Sequence, residues 1–289
     1  MKTQVRGRIV AREAHDVRLC GQGILDGSAG LDQPAHFVVF ERCTNVVVED
    51  LIMIEPRGWM LVLGACRGVH VCNLKQIGEV MCSDGIDICG SKDVLVEGCC
   101  LLNNDDNIVI KATTVNAGRF SWEEDVENVR VRGCMLWNAQ CGNAMEIGYE
   151  LRAARIANIV FEDIDVLCVH GHGAPFSIHN GDRALVENVR WENIRVEHHW
   201  DKLVDFRVVI SRYTKDAERG RIRHITLKNI QVMHTRINDG YTVSVISGYD
   251  SARPAEHVVF DDFHLGPRKI KHADEMDLYL RHATNVIFQ

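Results

Sequence analysis

One short phrase, repeated along the whole chain, limits what this sequence can fold into. It runs apolar-x-apolar, then a polar, Gly or Cys position, then a second apolar pair, often with Asn or Asp in front. The early copies are Asp16-Val17-Arg18-Leu19, Asn45-Val46-Val47-Val48, Gly68-Val69-His70-Val71 and Asp93-Val94-Leu95-Val96. The middle copies are Asn128-Val129-Arg130-Val131, Asn158-Ile159-Val160-Phe161 and Asn188-Val189-Arg190-Trp191. His224-Ile225-Thr226-Leu227, His257-Val258-Val259-Phe260 and Asn285-Val286-Ile287-Phe288 complete the series, at steps of 23 to 36 residues. Alternation of period two, rich in Val and Ile, marks each copy as a strand. A second short strand precedes the phrase in several repeats, as in Leu61-Val62-Leu63, Ile86-Asp87-Ile88, Ile108-Val109-Ile110, Met145-Glu146-Ile147 and Phe176-Ser177-Ile178. Two or three short strands per repeat, with no convincing helix between them, describe one coil of a parallel β-helix. The Leu-x-x-Leu-x-Leu pattern of leucine-rich repeats is absent, and a β-propeller needs four strands per repeat. The expected fold class is all-β, a parallel β-helix of about ten coils forming a single domain over residues 1–289.

The formal charge of −7 gives no reason to expect nucleic acid or an anionic membrane as a partner. No apolar run approaches the length of a transmembrane helix, and the N-terminal segment lacks the uninterrupted apolar stretch of a signal peptide. Eleven cysteines are an odd number without a Cys-x-x-Cys pair. Cys20 and Cys72 sit three residues after a repeat's first apolar position, and Cys99 and Cys134 five after it. They read as small, reduced interior residues, so the chain is expected to be cytoplasmic unless it is a fragment of an exported parent.

Two neighbouring segments carry the chemistry. They are Ser83-Asp84-Gly85-Ile86-Asp87-Ile88 and Asn104-Asp105-Asp106-Asn107-Ile108-Val109-Ile110-Lys111. Coils of a solenoid stack about 4.8 Å apart. Aligning the inward pairs Ile86/Ile88, Ile108/Ile110, Met145/Ile147 and Phe176/Ile178 leaves Asp87, Val109, Glu146 and Ser177 as an outward ladder. Two residues before each pair come Asp84, Asp106, Asn143 and Ala174, so Asp84 and Asp106 become neighbours with Asp105 beside them. Acidic side chains are ordinary strand-ending turn residues at any single coil. Gathered at one corner they repel one another, which holds at least one protonated near neutrality. A protonated acid beside ionised ones suits glycosidic bond cleavage.

The run from Ser83 to Lys111, with Asp93-Val94-Leu95-Val96-Glu97-Gly98-Cys99 between its acidic segments, resembles glycoside hydrolase family 28, the polygalacturonases and their relatives. The early Gly21-Gln22-Gly23-Ile24-Leu25-Asp26-Gly27 is similar to that family's opening coil. The resemblance implies a right-handed β-helix and an inverting hydrolase that needs no metal or other cofactor. It also implies Asp105 as general acid, with Asp84 and Asp106 holding and deprotonating the water. Three departures stand out. The family's Asn-Thr-Asp begins here as Cys82-Ser83-Asp84. Its Gly-His-Gly falls on Gly142-Asn143-Ala144, while a literal Gly171-His172-Gly173 comes one coil later. Its carboxylate-gripping Arg-Ile-Lys falls on Ser177-Ile178-His179, which argues against simple polygalacturonate as substrate. The segment 142–149 is also similar in placement to dextranases of the related family 49.

The substrate is accordingly expected to be an α-linked carbohydrate, with Asp87, Lys111, Asn143, Glu146 and His179 as candidate binding residues. Trp122, Trp137, Tyr149 and Trp200 are candidates for stacking on sugar rings, and Arg152, Arg155, Arg183 and Arg207 for replacing the missing cations. The pairs His170/His172 and His198/His199 lack the company of a zinc site, so no metal is expected. Two rivals share the architecture: a polysaccharide lyase holding Ca²⁺ in the acidic cluster, and a carbohydrate-binding β-helix without catalysis.

Overall fold

In a computed structural model, residues 1–5, 7–29, 36–115, 120–233 and 241–289 are described, and they form the parallel β-helix that the repeat implies. One wall is an almost unbroken parallel ladder. It runs Ile9–Arg12, Val38–Glu41, Leu61–Gly64, Ile86–Cys89, Ile108–Val115, Met145–Leu151, Phe176–Asn180, Val204–Val208, Ser244–Ser247 and Leu278–Arg281. Each coil contributes one of these strands, which makes ten coils. The repeated phrases and the short strands after them build a second, 17-stranded sheet around the remaining sides. From Arg155 onward phrase and follower fuse into long bent strands such as Arg155–Val169, Leu185–Val196 and Arg221–Val232.

Registers follow the sequence alignment. Ile86 pairs with Ile108, Ile108 with Met145 and Met145 with Phe176, so all four lie in one inward column with no exposed surface. Each such side chain contributes about 1.5–3 kcal/mol by its burial. Larger rings fill the later coils, where Phe161, Trp191 and Phe206 stack at centroid distances of 5.6 and 5.3 Å.

The residue in front of each phrase has a backbone reason. Asp16, Asn45, Asp93, Asn128, Asn158 and Asn188 all take φ between 54° and 59°, the left-handed region that Asn and Asp tolerate best. Their side chains then bond up the stack, Asn45 Nδ2 donating to Asp16 Oδ1 at 3.0 Å and Asn128 Nδ2 to Asp93 Oδ1 at 2.9 Å. A second left-handed column stands at the next corner, where Asn73 donates to Asp50, Asn193 to Asp163 and Asn229 to Asn193. These two columns turn the chain at the same angle in every coil, which keeps the strands in register.

A hairpin leaves the solenoid where Phe120–Trp122 folds back antiparallel on the end of Ile108–Val115. It lays Phe120 and Trp122 over the outward residues Val39, Val62 and Cys89. Trp122 is therefore a packing residue rather than a sugar platform: it is fully buried and donates Nε1 to Glu41 at 3.2 Å. All eleven cysteines are free; Cys43, Cys66, Cys89, Cys99, Cys134 and Cys168 are buried, whereas Cys20 and Cys82 are exposed. No helix among the described residues is long and apolar enough to cross a membrane.

Candidate active site

Asp84, Asp105 and Asp106 meet at the rim where the 17-stranded sheet hands the chain over to the ten-strand ladder. Asp84 ends the loop before Ile86–Cys89, and the other two occupy the turn before Ile108–Val115. One carboxylate oxygen from each lies within 4.8 Å of the other two. Their surroundings differ. Asp106 Oδ1 accepts two hydrogen bonds from Asn143, from its backbone N at 2.7 Å and its Nδ2 at 2.9 Å. Asp84 is 2% exposed, with Oδ2 on Lys111 Nζ at 3.0 Å and a buried Oδ1 that has no protein partner. Asp105 is the part-exposed member, and its Oδ1 accepts the Asp106 N–H at 3.1 Å.

Burial is the leading cause that pushes all three carboxyls above their ordinary range. Asp87, Asp105 and Asp106 add to the rise of Asp84; Asp105 and Glu146 add to that of Asp106; Glu146 adds to that of Asp105. Lys111 opposes the rise in each case. Asp87 is pushed up to about 7, first by burial, against the same lysine 3.1 Å away. Lys111 lies 3.9 Å above the ring of Trp59 and is held charged, Asp84 and Asp87 overcoming the burial that would discharge it. The cluster thus shares one buried cation among several carboxyls that resist ionisation, so some keep a proton near neutrality.

A second buried network adjoins it one and two coils further on. Glu146 accepts from His179 Nδ1 at 3.0 Å, and His179 Nε2 faces Asp205 Oδ2 at 3.1 Å. Asp205 is also paired with Arg207, at 2.7 Å from Nη2. The ring of Tyr149 lies flat on His179 at 4.3 Å. Burial alone would lower the His179 pKa, but the charge of Glu146 and the hydrogen bonds that His179 donates to Asp205 and Glu146 raise it to about 9. This gives a stability prediction. A His raised from 6.5 contributes fully below pH 6.5 and loses that contribution as pH climbs through 9. His179→Asn is expected to cost about 3 kcal/mol at pH 6 and much less at pH 10, measured as urea midpoints.

The candidate binding residues Asp87, Lys111, Asn143, Glu146 and His179 lie in enclosed positions beside the three aspartates. Their exposures are 0%, 5%, 6%, 0% and 2%. The outward ladder is real, since Asp87 pairs with Val109, Val109 with Glu146 and Glu146 with Ser177. Its carboxylates nevertheless bond to side chains of the next coil, Asp87 to Lys111 and Glu146 to His179, and Trp59 and Tyr149 lie against those partners. Lys111 and Asn143 bond directly to two of the aspartates, Asp84 and Asp106. Of the candidate arginines, Arg207 alone joins this network. Arg152, Arg155 and Arg183 are paired instead with Glu123, Glu187 and Asp216. Asp205 was not anticipated, although Val204-Asp205-Phe206-Arg207 is the next copy of the ladder strand, in register with Phe176-Ser177-Ile178-His179.

Gly142, which opens the segment in place of the family's Gly-His-Gly, has φ +74°, and a Cβ there would press on Asp106 N and the Asp105 carbonyl carbon. Gly142→Ala is expected to destabilise the fold by about 2 kcal/mol or more, combining left-handed strain with a backbone clash. Because the clash falls on the two aspartates, turnover should fall further than stability, which parallel melting and activity assays will show.

The family model for glycosyl hydrolases family 28 matches residues 20–173. The chain belongs to this family. The match spans all three aspartates and stops just before Phe176–Asn180. Among curated relatives, a probable polygalacturonase of Arabidopsis thaliana is 21% identical over 239 residues. The alignment covers 80% of this chain and 49% of that one, so the chain spans about half the relative's length. Among solved structures of the same fold, an exopolygalacturonase from Thermotoga maritima superposes with a TM-score of 0.71 at 18% identity. That superposition covers 89% of this chain and 66% of the other. The polygalacturonase of Erwinia carotovora superposes at 0.60 with 14% identity, covering 94% and 72%.

Proposed function

We propose that this family 28 chain hydrolyses α-linked glycosidic bonds of a polysaccharide or oligosaccharide other than simple polygalacturonate. The observation that carries the reading is the arrangement at Asp84. One of its carboxylate oxygens stands within 4.8 Å of an oxygen from each of two further carboxyls, Asp105 and Asp106. In this reading Asp84 holds and deprotonates the water, and Asp106, fixed by Asn143, is its partner in doing so. Asp105, the part-exposed acid, gives its raised proton to the leaving oxygen. Lys111 works against the burial that raises the Asp84 carboxyl, and so favours its base form.

The inverting outcome is supported by the family and less by distance. Acid and base carboxyls that admit a water between them usually stand about 6.5–9.5 Å apart, more than the spread of these oxygens. In a single displacement the water would sit against Asp84 and Asp106 rather than between acid and base. The substrate reading is supported by the fate of the gripping cations. Ser177 is neutral, and the charge of His179 is taken up by Glu146 and Asp205. Arg207 would have to leave Asp205 to reach a sugar carboxylate.

The deciding experiment is a reducing-end screen over polygalacturonate, rhamnogalacturonan, dextran and other α-glucans. It is run with and without chelator, and the first-formed anomer is read by NMR. Chelator-resistant release of saturated, inverted product from one of the polymers other than polygalacturonate supports the proposal. An unsaturated product that needs Ca²⁺ would establish the lyase reading, in which the three aspartates hold the ion. Retained anomeric configuration would replace the single displacement with a covalent intermediate.

A further inference from the structure

From Cys168, His170 and His198 we propose a zinc-type metal site on the same rim as the acidic cluster, formed by two consecutive coils. Cys168 lies near the end of Arg155–Val169, and the parallel bridge between Val169 and His199 sets His198 beside it in the next coil. His170 follows Cys168 by two residues as the chain leaves the strand. One ligand atom from each of the three lies within 4.8 Å of the other two. The nitrogens His170 Nδ1 and His198 Nε2 are 3.3 Å apart. That is the edge of a coordination tetrahedron, since two Zn–N bonds of about 2.0–2.1 Å at the tetrahedral angle place their nitrogens about 3.3 Å apart. One thiolate and two imidazoles are a borderline-soft donor set that favours Zn²⁺ over Ca²⁺ or Mg²⁺, with the fourth position left to water.

A hydrogen bond between the two rings accounts for their approach but not for a thiol at the third corner. As the sulfur–metal bond forms, the Cys168 thiol releases its proton to solvent. The position suggests what the ion does. His170 N donates to Asn138 O at 3.1 Å, and Asn138 Nδ2 donates to Asp105 O at 2.6 Å. An ion joining His170 to the next coil would clasp the strand ends that support Asp105.

The test uses Co²⁺ and Zn²⁺ on the full chain and needs no turnover. Wild type is expected to bind one Co²⁺ with the intense visible bands of a tetrahedral ion and a sulfur-to-cobalt charge-transfer band, both displaced by Zn²⁺. Cys168→Ser should abolish the charge-transfer band. His170→Asn, a change at an exposed position, should weaken Zn²⁺ binding at least roughly tenfold, as should His198→Asn. Metal-free melting curves identify any variant that has lost its fold, and the exposed His170 variant keeps the test informative if Cys168→Ser proves unstable. A charge-transfer band that persists in Cys168→Ser, or no tetrahedral spectrum in wild type, overturns the proposal. An ion held instead by Asp84, Asp105 and Asp106 would give no sulfur band at all.

Discussion

Asp105→Asn is expected to lower kcat on the natural polymer by roughly 10²- to 10⁴-fold while leaving the melting temperature nearly unchanged. The substitution keeps the shape of the side chain and an oxygen to accept the Asp106 N–H, so the turn between Asn103 and Ile108 has no reason to move. What it removes is the proton that burial keeps on this carboxyl above the ordinary carboxylate range. The loss should therefore depend on the leaving group. An aryl glycoside whose phenol departs without protonation should recover most of its rate in the variant. Wild-type activity should fall as pH rises through the raised pKa, because the acid must be protonated to act. Equal losses on both leaving groups would remove Asp105 from the acid role, and a leaving-group-dependent loss in Asp84→Asn would transfer the role there.

How far the sequence carried can be judged from particular residues. The pairing of Ile86 with Ile108 and Met145 is legible because a solenoid repeats one register, so aligning inward pairs aligns coils. The meeting of Asp84 with Asp105 and Asp106 follows from the same arithmetic across 22 residues. The burial of Asp87, Glu146 and His179 does not follow from it. Alternation tells which side of a strand a residue takes, and it is silent about what lies against that side. Here Lys111 bonds to Asp87, and Trp59 and Tyr149 cover Lys111 and His179. The Asp50 and Asn73 column was hidden for a different reason, since one polar residue at a turn looks like any other until its left-handed φ is seen. His170 and His172 are neighbours in sequence, whereas His170 and His198 are neighbours in the stack. Asp205 lies in Val204–Val208, a further copy of the ladder strand in register with Phe176–Asn180.

Lys111→Met should be the most destabilising change at the site, costing about 3–5 kcal/mol near neutral pH. The lysine is buried at 5% exposure, with Asp84 at 3.0 Å and Asp87 at 3.1 Å, and methionine retains most of its stem over Trp59. Removing the ammonium strands two buried carboxyls without the cation that lowers their pKa values. Both then rise further, Asp87 from about 7. A carboxyl raised in the folded state stabilises below its unfolded pKa, near 3.9, and loses that contribution as pH rises through the folded value. The penalty in the variant should therefore be large at pH 8 and much smaller at pH 5, where Asp84 and Asp87 carry protons. Adding Asp87→Asn to Lys111→Met should restore more than half of the loss at pH 8, since one stranded charge is then gone. Thermal melts of the two single variants and the double at both pH values give this cycle. A penalty equal at pH 5 and pH 8, with no recovery in the double, would mean that Lys111 acts by packing on Trp59 rather than by charge. Turnover offers a second reading of the same physics. A base that has lost its neighbouring cation ionises only at higher pH, so whatever activity Lys111→Met retains should have its acidic limb displaced upward. The cation beside the aspartates would then be seen to set the pH at which this site works.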